Sequence, residues 1–177
     1  MADFYRFFPT LLKFEGGFVD DPADPGGATN KGVTFATFRA HARPLLNVRP
    51  TMQALKELSD EQAGRIYKVQ YWDKILGDHI EFQPLAEIMF DFYVNAGSHA
   101  VALFYDVLNH AGTHHDRLNW IDMSAIRLLP HLNGEEIYMH YKEGRKAYYR
   151  TLAQQHPALR KFLKGWLNRV NSFPDFS

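Results

Sequence analysis

Two acidic side chains near the start of the chain have the setting that acid–base chemistry needs. Glu15 ends an aromatic run that begins at Phe4, and Gly16 and Gly17 follow it directly. Because paired glycines are a strong stop signal for a helix, we expect the Glu15 carboxylate at the end of a rigid element. Asp24 follows with eight residues between them, inside a segment rich in glycine, aspartate and proline.

The two carboxylates suit the hydrolysis of a glycosidic bond. That reaction commonly uses one protonated acid, which gives its proton to the leaving oxygen, and a second group that orients water or stabilises positive charge. Partial desolvation beside the aromatic helix would raise the pKa of Glu15 and keep it protonated near neutral pH. Asp24 would stay ionised among loop amides, and Thr29 and Asn30 could hold a water.

The acidic segment has three other interpretations. It can be a turn whose acids bond their own backbone, and the residue types alone leave that alternative open. A calcium loop does not fit, because Pro22 stands where a ligand is required. A phosphate loop does not fit either, because Gly27 and Gly32 are followed by Val33 rather than by lysine and a hydroxyl residue.

The elements that must position these residues are helices, because apolar residues recur at helical spacing over most of the chain. Ser59 and Gln62 form a capping-box pattern, and Thr34 and Ser98 are expected N-caps. The sequence predicts a mainly α fold with an irregular Gly/Asp/Pro-rich loop or small hairpin lobe over residues 16–33. The predicted helices span residues 3–15, 34–41 (ending before Pro44), 52–58, 59–72, 84–96, 98–109, 124–131, 135–155 and 157–171.

Composition excludes several classes of protein. The chain has 177 residues, 46% of them hydrophobic, which is enough for a core in one domain or one domain with a small appended part. Equal numbers of basic and acidic residues, 20 each, argue against a nucleic-acid binder. No cysteine is present, which excludes thiolate nucleophiles. No signal peptide is recognisable, and no apolar run approaches the ~20 residues of a membrane span.

Four segments of the first 97 residues carry family signatures. They are EGGF at residues 15–18, DPADPGGATNKGVT at 21–34, YKVQYW at 67–72 and FDFYVNAG at 90–97. Together they resemble glycoside hydrolase family 108, whose members are muramidases found as phage endolysins and as secretion-associated proteins. The resemblance implies a lysozyme-like helical fold in which Glu15 is the catalytic acid.

The resemblance also implies roles for residues around Glu15. Its spacing to Asp24 is similar to the Glu-x8-Asp-x5-Thr arrangement of phage-type lysozymes, but here Asn30 stands where threonine is expected and Thr29 comes one residue early. Thr29 is the candidate for positioning the attacking water, and the roles of Asp24 and Asn30 stay open. Asp21 and Asn30 are candidates for substrate binding.

Two pairs on predicted helices are further candidates for substrate binding. Tyr71 and Trp72 could stack on the apolar face of a sugar ring, with a core anchor as the alternative. Asp91 and Asn95 lie one helical turn apart and could bond hydroxyl or N-acetyl groups. The alternative for this second pair is hydrogen bonding that braces the glycine-rich segment, and Asn95 could also be plain capping.

The resemblance suggests a division of the chain by function. We expect residues 1–97 to form the lysozyme-like catalytic region and residues 98–177 a helical region similar to the family's peptidoglycan-binding part, the two packed as one unit. The family's DG-x-x-G-x-x-T loop is absent, and residues 113–122 read THHDRLNWID instead. A separate wall-binding role for the C-terminal region is therefore not implied.

No metal or cofactor is predicted. The best histidine cluster is His110, His114 and His115, which Gly112 interrupts, and no acid-plus-histidine motif accompanies it, so a zinc amidase is disfavoured. The basic residues of the last two helices are typical of a solvated face, with contact to wall anions as the alternative. They are Arg145, Lys146, Arg150, Arg160, Lys161 and Lys164.

The predicted function is an N-acetylmuramidase that cuts the β-1,4 bond between N-acetylmuramic acid and N-acetylglucosamine. The expected partner is the peptidoglycan glycan strand, with no nucleic acid and no membrane insertion. We expect synthesis in the cytoplasm and action on the cell wall, in the periplasm or outside the cell, with a holin or a secretion system for delivery. The alternatives are a non-catalytic wall-binding secretion accessory and a lytic transglycosylase.

Overall fold

The computed structural model describes residues 1–20 and 27–176, so Asp21 and Asp24 lie outside the described residues. The fold is mainly α, as predicted, with one small antiparallel hairpin. None of the described helices combines the length and the apolar character that crossing a bilayer requires. The elements are α1 Phe4–Phe14, β1 Thr29–Asn30, β2 Val33–Thr34, α2 Phe35–Leu46, α3 Met52–Lys56, α4 Asp60–Tyr67, α5 Gln83–Ala96, α6 Ser98–His110, α7 Met123–Ile126, α8 Gly134–Gln155 and α9 Leu163–Asn171.

The chain divides into two compact units. The first, Asp3–Asp73, contains α1, the hairpin and α2 to α4. The second combines Met1–Ala2 with Lys74–Ser177 and contains α5 to α9. This division concerns compactness and does not test the functional boundary expected at residue 97, which stays a prediction.

Helix α1 is held by an aromatic face. Asp3 caps its start by accepting a hydrogen bond from Tyr5 N at 2.9 Å. Its buried residues are Phe4, Phe7, Phe8 and Leu11, spaced at three and four residues as the sequence predicted. Phe14, the last residue of the helix, is 45% exposed.

The predicted hairpin lobe contains a two-residue turn. β1 and β2 pair antiparallel with Asn30 opposite Val33, so Lys31 and Gly32 form the connection. Both residues have positive φ, 51° at Lys31 and 74° at Gly32, as a type I′ turn requires. The glycine supplies this conformation without steric cost, and the lysine adopts it under the constraint of the two strands.

Helix α2 continues beyond its predicted end. Thr34 caps it as expected, accepting from Thr37 N at 3.2 Å. The prediction that it stops before Pro44 was wrong, because Pro44 lies in the last turn, where its missing N–H removes a single bond. The helix ends instead at Asn47, whose φ of 55° is the left-handed conformation typical of a helix end.

Helix α4 begins at the predicted capping box. Gln62 N donates to Ser59 Oγ and Ser59 N donates to Gln62 Oε1, both at 3.1 Å. The helix continues as a π-helical turn over Lys68–Trp72, which matches the predicted extent to residue 72. Such wider turns are rare in proteins, and those that occur are often found at functional sites.

The second unit agrees with the predicted helices in its long elements and differs in their caps. Ser98 was expected to cap α6, but it is the first helical residue and Gly97 holds the cap position. The segment 124–131 is not one helix, since α7 ends at Ile126 and a separate 3₁₀ turn spans Leu129–His131. Asp122 caps α7 and accepts from Ala125 N at 2.8 Å. The final predicted helix begins with a 3₁₀ segment, Pro157–Phe162, before α9.

A buried ion cluster joins three helices of the second unit. Asp91 on α5 accepts from Arg145 Nη2 on α8 at 2.6 Å and from Arg169 Nη2 on α9 at 2.7 Å. Asp91 and Arg145 are both 0% exposed. The expectation that Arg145 lies on a solvated face was therefore wrong, because its charge is neutralised inside the core. Burial opposes the charge of Arg145, but Asp91 and the Tyr149 hydroxyl outweigh that effect and raise its pKa above the ordinary value.

Candidate functional site

Glu15 lies where helix α1 gives way to the glycines. Its backbone N–H donates to Leu12 O at 3.2 Å, and its own backbone is extended, with φ −87° and ψ 137°. The side chain is half-buried. This is the position that the Gly16–Gly17 signal predicted: a carboxylate carried on the last turn of a packed helix and still open to a ligand.

The hairpin turn and α4 bring a second polar group to Glu15. A Cβ atom added to Gly32 would clash with the Tyr67 hydroxyl and would lie 2.6 Å from Glu15 Oε2. The carboxylate and the phenol therefore meet at the bare Cα of Gly32. Gly32 is required twice, first for its positive φ and second because both functional groups occupy the space of a side chain.

Tyr67 is held tightly in this place. The residue is 2% exposed, and its ring centroid lies 5.5 Å from that of Phe8 and 5.3 Å from that of Tyr71. Its hydroxyl donates to the backbone oxygen of Lys31 at 3.1 Å. The phenol therefore connects the end of α4 to the hairpin turn, and the same turn faces Glu15.

Glu15 opens into a groove of about 590 Å³ within the first compact unit. The groove combines apolar residues of α1 with charged residues of the hairpin turn and α4. Tyr5 at its edge is 56% exposed, so a flat aromatic surface faces solvent there. A mostly apolar groove with a few polar groups is typical of a site for a ligand of this size. The lining residues are Tyr5, Phe8, Pro9, Leu12, Lys13, Glu15, Gly16, Gly17, Lys31, Asp60 and Glu61.

Three charged residues of the groove take part in ion pairs. Lys31 forms an ion pair with Asp60, and Glu61 accepts from Arg65 Nη2 at 2.7 Å. These pairs are partly exposed, so they contribute little to stability, on the order of 0–1 kcal/mol each. The Lys31–Asp60 pair ties the start of α4 to the hairpin turn, whereas the Glu61–Arg65 pair lies within α4.

Residues predicted in the acidic loop fall into two groups. Asp21 and Asp24 lie outside the described residues. Thr29 is half-buried, and its Oγ1 donates to Gly27 O at 3.2 Å. Asn30 is only 4% exposed, and its Nδ2 donates to Leu55 O at 2.8 Å and to Lys56 O. Asn30 therefore fastens β1 to α3 through its amide nitrogen.

Tyr71 and Trp72 take different environments at the π-helical turn. Tyr71 is half-buried and packs against Tyr67. Trp72 is 0% exposed and packs edge-on against Phe4, with ring centroids 5.6 Å apart. Trp72 is therefore a core anchor, which was the alternative to sugar stacking in the sequence analysis, and its indole does not reach the surface.

Asp91 and Asn95 belong to the second compact unit. Asp91 is buried and forms ion pairs with Arg145 and Arg169, so it does not line a cleft. Asn95 is exposed, and its Nδ2 donates to Asp91 O at 2.6 Å within the same helix. Neither residue braces a glycine-rich segment in the described contacts. Asp91 joins α5 to α8 and α9, and Asn95 bonds back to its own helix.

His110, His115 and His140 take part in packing and local hydrogen bonds. His110 meets His140 with ring centroids 4.9 Å apart, and His115 Nε2 lies 2.9 Å from Ser124 Oγ. Among residues 1–20 and 27–176, no three His, Cys, Asp or Glu side chains gather as a metal site would need.

The sequence interpretation missed Tyr67, Lys31 and Tyr5 as site residues. Tyr67 stood in the YKVQYW segment, but nothing in the sequence showed which of its aromatic residues turns toward Glu15. Lys31 could have been placed from the sequence, because Lys31-Gly32 between two short strands predicts a tight hairpin. Tyr5 was detectable only as the aromatic residue of α1 that falls off the apolar stripe.

Comparison with known proteins gives three findings. The family model described as Glycosyl hydrolase 108 matches residues 8–97. Among solved structures, SagA from Brucella abortus matches with 25% sequence identity and a TM-score of 0.66, over 98% of this chain and 97% of that chain. No curated protein matches the chain. The likeness over nearly the whole length agrees with a mainly α, lysozyme-like fold.

Proposed function

Because the chain belongs to the glycosyl hydrolase 108 family, we propose that it is an N-acetylmuramidase of peptidoglycan. The family indicates a glycoside hydrolase with a glycan substrate. We propose that the bond cut is the β-1,4 link between N-acetylmuramic acid and N-acetylglucosamine. The observation that carries this proposal is Glu15, a carboxylate fixed at the end of α1 and open to a groove of about 590 Å³.

The proposed reaction uses Glu15 as the general acid. The protonated carboxyl gives its proton to the bridging oxygen as the bond from that oxygen to the anomeric carbon breaks, and the bonding electrons leave with the oxygen. Water then adds its hydroxyl to the anomeric carbon and loses a proton to a base. We propose Asp24 or Thr29 as the group that directs this water, in preference to Asn30, whose amide nitrogen donates to the carbonyls of Leu55 and Lys56.

The stereochemical outcome follows from the distance between Glu15 and its partner. A separation of ~6.5–9.5 Å leaves room for a water and gives inversion, whereas ~5–5.5 Å allows a covalent intermediate and retention. We propose inversion with Asp24 as partner.

The groove also supplies a surface for a sugar ring. Tyr5 is exposed beside apolar Leu12 and Phe8, and aromatic faces suit the apolar side of a pyranose. We propose Tyr5 as a stacking residue. Tyr71 stays a candidate for the same role, whereas Trp72 is fully buried.

The test is the Glu15→Gln variant on purified peptidoglycan. The amide keeps the shape of the side chain but cannot give up a proton as a carboxylic acid does, so the release of reducing ends should fall by roughly 10²–10⁴-fold. Glu143→Gln is the matched control, because Glu143 is an exposed residue of the second unit that pairs with Lys146 on the same helix. A Glu15→Gln enzyme that retains near wild-type rate would refute the proposal.

Product analysis separates the muramidase from its two alternatives. Hydrolysis gives reducing N-acetylmuramic acid ends, and a lytic transglycosylase gives anhydro ends that differ by the mass of one water. A wall-binding accessory would sediment with insoluble peptidoglycan and release neither product. Mass spectrometry of the soluble fraction therefore decides among them.

We propose that the protein acts on the cell wall after synthesis in the cytoplasm. Peptidoglycan lies outside the cytoplasmic membrane, so a holin or a secretion system would deliver the enzyme. Fractionation of cells that express the tagged chain, with and without a co-expressed holin, checks this part of the proposal.

A further inference from the structure

The Tyr67 hydroxyl is placed beside Glu15 by three separate constraints. Its ring is buried against Phe8, its oxygen is bonded to the backbone of Lys31, and the bare Cα of Gly32 leaves the space that it shares with Glu15 Oε2. A tyrosine in a core commonly needs one partner for its hydroxyl, and the Lys31 carbonyl already fills that need. The approach of a second polar group to the same oxygen therefore calls for another explanation.

The direction of the hydrogen bond to Lys31 limits what the phenol can offer to Glu15. A tyrosine hydroxyl has one proton to donate and lone pairs to accept with. In the structure the proton is directed to the Lys31 carbonyl at 3.1 Å. Lone pairs of the phenol oxygen are then what remains for a neighbour, and these suit a carboxylic acid O–H rather than a carboxylate.

We propose that Tyr67 is a positioning residue for Glu15, in that its oxygen accepts a hydrogen bond from the protonated carboxyl and holds the acid in the rotamer that faces the groove. This inference rests on the proposed function. Tyr67 touches neither the glycan nor the bond that breaks; it acts through Glu15, and its own proton stays on the phenol throughout.

Several other ionisable groups face the same groove and bear on the protonation of Glu15. Two opposing charges, Lys31 and Asp60, are paired with each other, and Glu61 is paired with Arg65. Lys13 lies on α1 itself. The Tyr67 phenol carries no charge near neutral pH, so replacing it changes hydrogen bonding without changing net charge.

The experiment compares the wild type with Tyr67→Phe on a soluble peptidoglycan oligosaccharide of defined length across pH. We expect kcat at neutral pH to fall roughly tenfold with KM changed by less than about twofold, since binding groups are untouched. We also expect the alkaline limb of kcat to move to lower pH by about one unit, since the acid form of Glu15 loses its acceptor. Tyr141→Phe is the matched control, because Tyr141 is a fully buried phenol that donates to Ala100 O at 3.0 Å in the other unit.

A readout that does not depend on turnover keeps the inference testable. The carboxyl carbon of Glu15 can be followed by ¹³C NMR, with its signal assigned by its loss in Glu15→Gln. Its titration midpoint should fall in Tyr67→Phe and stay unchanged in Tyr141→Phe. If Tyr67→Phe does not fold, Gly32→Ala takes its place, since the added methyl group enters the space between the carboxyl and the phenol, and it should lower the midpoint in the same direction.

The outcomes separate this inference from the function on which it rests. If Glu15→Gln is inactive while Tyr67→Phe keeps both the wild-type kcat profile and the wild-type NMR midpoint, the positioning role is refuted and the muramidase proposal stands. If Glu15→Gln is fully active, the function itself fails. A change in KM alone in Tyr67→Phe would also overturn the inference, because it would indicate substrate binding.

Discussion

Gly32 shows how one residue can determine the geometry of the candidate site. It completes a turn with positive φ, and the space of its missing side chain holds both the Glu15 carboxylate and the Tyr67 hydroxyl. Catalytic groups must be held to within a fraction of an ångström, and a displacement of 1 Å can cost about 10²-fold in rate. The hairpin turn therefore shapes the site through its backbone at Gly32.

We predict that Gly32→Ala lowers both stability and activity. A residue with a Cβ in the left-handed region costs about 1–2 kcal/mol, and the methyl group would also push Glu15 and Tyr67 apart. Unfolding in urea should show the loss of stability, and kcat/KM should fall by roughly 10–100-fold on peptidoglycan.

The control for this variant is Gly112→Ala. Gly112 has φ of +90°, but no heavy atom lies within 4 Å of an added Cβ, so it carries the backbone cost without the contact. Its stability should fall while kcat/KM stays at the wild-type value. Equal losses of activity in the two variants would show that the contact at Gly32 is unimportant.

At the scale of elements, the sequence predicted the helix starts and ends that depend only on neighbouring residues. The capping box at Ser59 and Gln62 and the stop at Gly16 each need only a few residues to act, and both appear as expected. The position of Asp91 could not be predicted in this way. Its partner Arg145 lies 54 residues away in a run of basic residues, and such a run looks like a solvated face.

In the candidate site, too, the local features could be predicted and the contacts between distant elements could not. Glu15 needed only its helix and two glycines, whereas the contact with Tyr67 needs α1, the hairpin and α4 to pack together. The bonds of Asn30 to α3 could not be predicted for a related reason. Its amide satisfies the final carbonyls of α3, and no local pattern in the sequence reveals a bond to residues 25 and 26 positions away.

We predict that Asp91→Asn strongly destabilises the second unit. The carboxylate neutralises Arg145 and Arg169 in the core, and removing one partner of a buried pair costs about 3–5 kcal/mol because the remaining charge is uncompensated. Arg145 also packs over the ring of Phe92 at 5.1 Å, which supports the cation only in part. Urea unfolding followed by circular dichroism measures the loss.

Asp106→Asn is the matched control for the ion cluster. Asp106 pairs with Arg117 at the surface, where both side chains are more than half exposed. Such a pair contributes about 0–1 kcal/mol, so this variant should unfold at nearly the wild-type urea concentration. Comparable losses for Asp91→Asn and Asp106→Asn would contradict a structural role for the buried cluster.

For the molecule as a whole, ionised carboxylates make stability depend on pH even though the formal net charge is zero. The hydrogen bond from Lys142, followed by its positive charge, lowers the pKa of Asp175. Lys142 is itself 0% exposed and donates to Asp175 Oδ1 at 2.6 Å. The Ala125 N–H at the start of α7 similarly lowers the pKa of Asp122.

These shifts fix the sign of the pH dependence. Both carboxylates have a lower pKa in the folded chain than the ~3.9 of an unfolded aspartate, so the unfolded state binds more protons as the pH falls. The stabilisation is complete above that unfolded pKa and is lost as the pH drops through the folded values. We therefore predict that thermal midpoints of the wild type fall between about pH 5 and pH 3, and that an Asp122→Asn/Asp175→Asn double variant, lower at pH 7, loses less over the same interval. Differential scanning calorimetry at constant ionic strength measures both, and parallel losses in the two proteins would show that other groups govern the acid sensitivity.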